Sequence, residues 1–342
     1  MVEAPPYECL SYVWGGGYQD NVVLLNGRTF KVGDNLRAFL DVASRGNICI
    51  EKDSEYKTGH LWIDQICIDQ HSTAEKSYQV QRMSEIYQRA ERTIVWLGPE
   101  SSWASSAFHV IRDLAFEAKE NIRSILGREE EIADRLFPAQ DTSRADLHNL
   151  LHHRYWTRTW TVQEFWLSRN LLMAMGNEAI QWSILSRFWA VTQQIAQHPC
   201  SQNRNIPLGR STPAGVYIDH KHATEAWKFF SADDEHASTP SWSLHSALAN
   251  YGGQHASDDR DIVYGLLGIV SPDDRIHVDY SQSAPEVFFT AMDAIHERIE
   301  VSTDLWLLYF ELGLRMRVDK LALYKYRIEH RPEDVVLLKE ND

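Results

Sequence analysis

The first candidate for chemistry is Glu164, a carboxylate in an aromatic stretch that covers Arg154–Asn177, RYWTRTWTVQEFWLSRNLLMAMGN. Helical spacing of i, i+3 and i+4 predicts one side that holds Trp156, Trp160, Gln163, Glu164 and Leu167. A carboxylate on such a side can accept a hydroxyl proton or stabilise a developing positive charge. The alternative is a structural ion pair with an arginine such as Arg158 or Arg169.

The second candidate is Asp64, which interrupts the apolar run HLWIDQICI over His60–Ile68. The run is apolar enough to predict a strand that is buried on both faces, as strands of parallel sheets are. Because open α/β sheets bind ligands at the carboxyl ends of their strands, we assign Asp64 a catalytic role beside Glu164. The alternative is that Asp64 caps a neighbouring helix or accepts backbone N–H groups from a loop.

Candidate ligand contacts lie at the end of the first strand pattern, YECLSYVW over Tyr7–Trp14, which runs into three glycines. Glycines let backbone N–H groups approach a ligand, although a plain flexible turn has the same composition. An indole at a strand end can stack on a planar ligand. We therefore assign ligand binding to the following residues: Ser11, Tyr12, Trp14, Gly15, Gly16 and Trp160.

These candidates must be positioned by an alternation of strands and helices. Strand patterns lie at 8–13, 61–67, 92–97 and 171–175, and amphipathic helical patterns separate them. The alternation predicts right-handed crossovers and a mainly parallel α/β sheet with helices on both faces. Asn26-Gly27 between two short β patterns predicts an added, peripheral β-hairpin at 22–32.

The sequence predicts an α/β domain at residues 1–197 and a mostly helical extension at 216–342. Between them, residues 198–215 are polar and contain proline and glycine, which favours a loop or linker. Asp261, Tyr264 and Leu267 lie at helical spacing, with an acid leading into apolar positions. That pattern predicts that the extension packs on the first domain. The charged tail after residue 315 has no predicted placement.

Composition excludes several classes of protein. The 342 residues are 44% hydrophobic and carry a net charge of −14, so the chain lacks the basic surface that sequence-independent nucleic-acid binding requires. No apolar run is long enough to cross a bilayer, and the N-terminus does not resemble a signal peptide. The four cysteines are far apart, without a CxxC pair. We therefore predict no nucleic-acid partner, no membrane span and a reduced, cytoplasmic location.

Metal and nucleophile motifs are weak in this sequence. Two histidine clusters, His152-His153 and His220-Lys221-His222, lack the further ligands at zinc-site spacing that a metal needs. GxSxG, HExxH and P-loop motifs do not occur. Cys67 lies in an apolar run, which is typical of an inert core cysteine. We predict no metal and no required cofactor.

Four blocks of the sequence resemble the HET (heterokaryon incompatibility) domain of filamentous fungi. They are Tyr7–Gly15 (YECLSYVWG), Leu61–Gln70 (LWIDQICIDQ), Glu75–Gly98 (EKSYQVQRMSEIYQRAERTIVWLG) and Arg154–Glu164 (RYWTRTWTVQE). Two later blocks, DDRDIVYGLLG and VDYSQSAPEV, resemble segments on the C-terminal side of the domain in such proteins. The order and spacing of the blocks fit the family up to about residue 300.

The resemblance implies a fold and a function. HET proteins are implicated in a cell-death response when genetically different fungal cells fuse, and the domain has been proposed to be distantly similar to TIR domains. The resemblance therefore implies a flavodoxin/TIR-like sheet. Some TIR domains cleave the nicotinamide–ribose bond of NAD with the glutamate of a W-x-x-x-E helix, and Trp160 and Glu164 match that spacing. NAD is accordingly an expected substrate.

Three functions are compatible with the sequence. The first is a hydrolase that resembles NAD glycohydrolases and acts as a cell-death effector. The second is a HET-like enzyme of fungal specialised metabolism that does acid/base chemistry on a small metabolite. A chain that begins and ends close to the family blocks weakens the first function and is equally consistent with this second one. The third is a non-catalytic signalling module that self-associates. The expected partners are a small-molecule or nucleotide ligand and, for the third function, further copies in a homo-oligomer.

Overall fold

The computed structural model describes residues 5–15, 21–46, 48–51, 54–56, 59–99, 102–117, 128, 143–197, 229, 241–299 and 303–330. The chain divides into two compact units. The first consists of Met1–Cys67, Ile86–Thr157 and Ser168–Ser238, and the second of Ile68–Glu85, Arg158–Leu167 and Thr239–Asp342. The predicted linker at 198–215 lies outside the described residues, and the packing of the extension on the first domain stays a prediction.

A seven-stranded sheet is the framework of the first unit. Its strands are β1 (Tyr7–Tyr12), β4 (Ile48–Glu51), β5 (Ser54–Tyr56), β6 (His60–Trp62), β7 (Arg92–Trp96), β8 (Leu171–Met175) and β9 (Glu178–Gln181), and they lie in the order β5-β4-β9-β8-β7-β1-β6. The strands β2 (Val22–Leu25) and β3 (Arg28–Lys31) form a separate pair. β6, β1, β7 and β8 are parallel neighbours, which confirms the predicted parallel core. β9 is antiparallel to β8 and β5 is antiparallel to β4.

Both faces of the parallel core are buried. On one face, alternate strand residues such as Leu10 and Trp96 pack against Leu36 and Phe39 of the helix Asp34–Arg45. On the other face, residues of the opposite parity are also buried, and the hydroxyl of Tyr7 donates to the Ile86 carbonyl of the helix Met83–Arg89 over 2.6 Å. This double burial explains why the strands read as continuous apolar runs.

The remaining elements are mostly helical. The helices of the described residues are Asp34–Arg45, Asp64–Cys67, Thr73–Gln81, Met83–Arg89, Ser102–Glu117, Ser143–Leu151, Thr159–Trp166, Trp182–Gln197, Leu244–Tyr251, Asp261–Tyr264, Ala284–His296, Thr303–Arg315 and Lys320–His330. The hydroxyl of Ser283 and the carboxylate of Glu286 form a capping box at the start of the helix Ala284–His296. None of the helices that the structure describes is long and apolar enough to cross a membrane.

The hairpin at 22–32 is confirmed as a peripheral addition, because among the described residues β2 and β3 pair only with each other. Asn26 and Gly27 have φ values of 51° and 76°, the positive values that a two-residue hairpin turn of type I′ requires.

Two predicted elements are wrong in extent. The strand predicted at 61–67 ends at Trp62, and Asp64–Cys67 is a short helix in which the Ile63 carbonyl accepts from the Cys67 N–H over 2.8 Å. The single helix predicted from Arg154 to Leu167 is broken at Arg158, whose φ of −82° and ψ of 135° are extended. Trp156 therefore lies on a 3₁₀ turn, Arg154–Thr157, and does not share a helical side with Trp160.

Candidate functional site

The carboxyl ends of β1, β6 and β7 form the candidate site of the first unit. In chain order the parallel strands are β1, β6, β7 and β8, and in space they lie in the order β6-β1-β7-β8. This is the 2-1-3-4 order of flavodoxin-like sheets, in which the connections leave the first strand in opposite directions. Ligands of such sheets bind in the crevice at the carboxyl ends of these strands.

Trp14 and Asp64 are joined directly at this edge. The indole Nε1 of Trp14 donates to Oδ2 of Asp64 over 2.9 Å, and the backbone N–H of Gln65 donates to Oδ1 over 2.7 Å. Both the indole and the carboxylate are half-buried. The sequence alternative for Asp64, acceptance of a backbone N–H, is thus present together with a side-chain partner. The carboxylate is held in one orientation and keeps contact with solvent.

Ser11 and Tyr12, at the end of β1, have buried side chains. The hydroxyl of Tyr12 donates to Oε1 of Gln65 over 3.1 Å, and the hydroxyl of Ser11 lies 2.7 Å from that of Tyr155. These bonds tie β1 to the helix that follows β6 and to the 3₁₀ turn Arg154–Thr157. Their predicted role as ligand contacts stays a prediction.

Close backbone packing explains Gly15. A Cβ atom on Gly15 would lie 3.2 Å from the Asn35 backbone nitrogen, and one on Gly33 would lie 3.0 Å from the Gly15 carbonyl oxygen. The loop after β1 is therefore pressed against the N-terminal end of the helix Asp34–Arg45. Gly16, the other glycine predicted to contact a ligand, lies outside the described residues.

Asn35 is a buried residue of this edge that the sequence reasoning missed. Its Nδ2 donates to the Val13 carbonyl over 2.8 Å, and its Oδ1 accepts from Nε1 of Trp96 over 2.9 Å. One amide thus connects the loop after β1 to the end of β7. The signal in the sequence was an amide in the first turn of a strongly amphipathic helix, at a position that faces the core.

His153 has a structural role that its pairing with His152 in the sequence did not indicate. Burial, together with the charge of the neighbouring Arg154, lowers the pKa of His153 to about 4. Its Nδ1 accepts from the Tyr155 backbone N–H over 3.2 Å, and the Leu97 carbonyl after β7 is a second partner. The ring is therefore neutral at neutral pH and fixes the turn that carries Tyr155.

In the second unit, Trp160 is hydrogen-bonded to Asp261, which follows it by 101 residues. Its Nε1 donates to Oδ2 of Asp261 over 2.9 Å, and the hydroxyl of Tyr280 donates to Oδ1 of the same carboxyl group. Burial raises the pKa of Asp261, and burial together with Asp261 raises the pKa of Tyr280. The ammonium of Lys76 lies 3.8 Å from the centre of the Tyr280 ring. Trp160 is thus an anchor inside this unit, and its predicted ligand role is untested.

Glu164 lies on the same helix and is only 2% exposed. Beside it, Oε1 of Gln163 accepts from the Gly268 N–H over 3.1 Å. The Nε2 of Gln163 and the hydroxyl of Thr159 are buried and find no hydrogen-bond partner among the described residues. Because Glu164 and Asp64 belong to different units, the single cleft predicted to contain both stays a prediction.

Comparisons with known proteins match part of this sequence to a family. Residues 7–164 match the model of the family described as heterokaryon incompatibility protein (HET). The chain is also similar to heterokaryon incompatibility protein 6, OR allele, of Neurospora crassa, with 25% identity over 92% of this chain. It spans about half of that relative, 52% of its length. No solved structure matches the chain. Residues 7–164 of this chain are therefore a domain of the heterokaryon incompatibility (HET) family.

Proposed function

We propose that this chain acts in a fungal heterokaryon incompatibility response and that its α/β unit binds a nucleotide-like ligand at the carboxyl ends of β1, β6 and β7. The family match and the named relative support the first part. The observation that carries the second part is the bond between Trp14 and Asp64 at that edge.

The pair offers two kinds of contact. Nε1 of Trp14 and the backbone N–H of Gln65 donate to the two Asp64 oxygens and fix the orientation of the carboxylate. Since Asp64 is only half-buried, the hydroxyls of a ligand can donate to it. The indole of Trp14 is half-buried and anchored by its N–H, so that its ring offers a fixed apolar plane for stacking.

A nucleoside matches both contacts, because it joins a planar base to a ribose diol. The base stacks on Trp14, and the diol donates to Asp64. A dinucleotide such as NAD has two such halves, and it is the ligand that we test first. An inorganic anion alone fits poorly, since the fixed charge beside Trp14 is negative.

Calorimetric titration of the purified chain with NAD, adenosine and AMP tests the proposal. We expect Asp64→Asn to weaken binding by about 10-fold to 100-fold, since a hydrogen bond to a charged group contributes roughly 1.5–3 kcal/mol. Asp273→Asn, at an exposed carboxylate of the second unit, is the matched control and should bind as the parent does. Absence of binding at millimolar ligand, or equal weakening in both variants, would overturn the ligand site.

Cleavage of NAD by Glu164, which belongs to the second unit, is a separate proposal. A carboxylate that is 2% exposed acts in a low-dielectric setting, where its negative charge stabilises a developing ribosyl cation more strongly than in water. Incubation of the purified chain with NAD tests this reaction. Release of nicotinamide would support the hydrolase, and binding of a nucleotide without release would favour a biosynthetic enzyme or a non-catalytic sensor.

A further inference from the structure

Two adjacent helices of the second unit, Thr303–Arg315 and Lys320–His330, expose a continuous apolar face. On Thr303–Arg315, Leu307 and Leu314 are 65% and 39% exposed, and on Lys320–His330 three further apolar side chains are exposed. Those three are Leu321 at 62%, Tyr324 at 47% and Ile328 at 48%. On the first helix, the half-buried Phe310 lies between Leu307 and Leu314. The three residues of each helix are then spaced i, i+3 and i+7, so that they lie on one side of that helix. We name these six residues the outer face.

The two helices are packed firmly together, so the outer face has a defined shape. A Cβ atom on Gly313 would lie 2.5 Å from Cδ2 of Leu323, which shows how closely the helices cross. The rings of Phe310 and Tyr324 lie 5.3 Å apart and join the two halves of the outer face. The opposite sides of the two helices pack into the interior, since Tyr309 and Leu323 are both completely buried.

A face of this kind is unusual on a chain without a partner. Scattered apolar side chains are normal at a surface, but a contiguous apolar patch marks an interaction site. We propose that the outer face binds the outer face of a second copy of this chain about a two-fold axis. The helix Thr303–Arg315 of one copy then lies against Lys320–His330 of the other.

The charges around the outer face favour a second copy. Glu311 follows Leu307 by one turn and Lys325 follows Leu321 by one turn, and both are exposed. Neither forms an ion pair with any residue that the structure describes. Because a two-fold contact repeats the same surface on both sides, Glu311 of each copy can face Lys325 of the other.

The local charge does not oppose this contact. The chain has a net charge of −14, which would repel a second copy over much of its surface. Residues 303–330 differ, since they hold five arginines and lysines against four aspartates and glutamates. Copies are therefore expected to meet through this part of the chain.

The size of the outer face predicts a weak dimer. A 13-residue helix is about 20 Å long, and two adjacent helices are roughly 20 Å wide together. A footprint of that size belongs with the smaller specific interfaces, which bury less than about 1,200 Å² in total. We expect a dissociation constant on the order of 10 to 100 µM.

Sedimentation equilibrium of the full chain from 2 to about 500 µM tests the dimer. We expect a reversible dimer for the parent, and at least a 10-fold weaker dimer for Leu321→Glu and for Leu307→Glu. Leu24→Glu is the matched control, because Leu24 is 72% exposed on the hairpin of the other unit. A parent chain that stays monomeric throughout, or a control that dissociates as the two variants do, would overturn the proposal.

Charge reversal tests the predicted register. Glu311→Lys and Lys325→Glu should each weaken the dimer, and the double variant should restore it. Singles that weaken and a double that does not recover would overturn the two-fold pairing. Flotation with vesicles of phosphatidylcholine and phosphatidylserine examines a lipid surface instead. A monomeric parent that floats, and loses flotation on Leu321→Glu, would assign the outer face to membranes and not to a second copy.

Discussion

Trp160 donates a hydrogen bond from its indole nitrogen to the buried carboxyl group of Asp261, 101 residues later in the chain. The tryptophan of the W-x-x-x-E pattern therefore has a structural partner within the second unit. Tyr280 donates to the other oxygen of the same carboxyl group. The two hydrogen bonds explain why the DDRD segment, which resembles a family block, has an acid at position 261.

Asp261→Asn should change how stability depends on pH. Burial raises the pKa of Asp261 in the folded chain above its ordinary value of 3.8, so the folded state holds the proton to higher pH than the unfolded state does. The contribution of Asp261 to the free energy of unfolding therefore declines as pH rises from about 3.8 until the raised pKa is passed. Asparagine does not titrate.

Urea unfolding of the parent and of Asp261→Asn between pH 4 and pH 8 measures this difference. We expect the parent to lose stability relative to the variant as pH rises. Parallel pH profiles for the two proteins would contradict the raised pKa, whatever the absolute stability of the variant is.

His153→Asn should make the first unit less sensitive to acid. The pKa of His153 falls from an ordinary 6.5 to about 4 on folding, so its neutral form stabilises the fold above pH 6.5. That contribution is lost as pH falls from 6.5 to about 4, and its full extent is roughly 3 kcal/mol. Unfolding at pH 7 and pH 4.5 should show a smaller loss in the variant than in the parent. The exposed His71→Asn serves as control, and an equal loss in all three proteins would contradict the role of His153.

The parts of the fold that could be predicted are those that local patterns determine. Asn26-Gly27 predicts the hairpin because both positions need positive φ, and the buried runs predict the parallel strands because these are covered on both faces. The run from His60 to Ile68 was harder. A short apolar run is compatible with a strand and with a buried helix. In the structure, backbone N–H groups donate to the Ile63 carbonyl, so the chain is helical after Trp62.

The parts that could not be predicted depend on distant partners. Trp160 has its hydrogen bond with Asp261, and Asn35 has its bonds with Val13 and Trp96, and no local spacing contains these pairs. At the candidate site, the sequence indicated Trp14 and Asp64 separately but not their bond. The extension at 216–342 was predicted to be mostly helical, but the tail after residue 315 had no predicted placement. Apolar residues on both sides of the helix Lys320–His330 blur its helical period.

Gly268→Ala should destabilise the second unit. A Cβ atom at Gly268 would lie 2.2 Å from Oε1 of Gln163 and 2.9 Å from Cδ1 of Leu167, so the added methyl group has no room. Displacing the Gln163 side chain also breaks its bond from the Gly268 N–H. We expect a loss of about 1–3 kcal/mol in the free energy of unfolding. Gly253→Ala, where the Cβ atom meets nothing within 4 Å, is the matched control and should be nearly neutral.

Glu164→Gln separates a catalytic carboxylate from a structural one. The substitution keeps the shape of a side chain that is 2% exposed and removes its charge. If the carboxylate stabilises a ribosyl cation, nicotinamide release from NAD should fall about 100-fold or more. The free energy of unfolding should change by less than about 1 kcal/mol, because an isosteric amide preserves the packing.

The two readouts are taken on the same preparations, with Glu178→Gln as control. Glu178 is half-buried and pairs with Arg112 over 3.3 Å, so its replacement shows the effect of removing an ordinary ion pair. A collapse of stability in Glu164→Gln would identify Glu164 as the buried partner of a structural ion pair. Unchanged stability together with unchanged release would show that the W-x-x-x-E spacing is coincidental here, and any cleavage of NAD would then require another carboxylate, for which Asp64 is the next residue to replace.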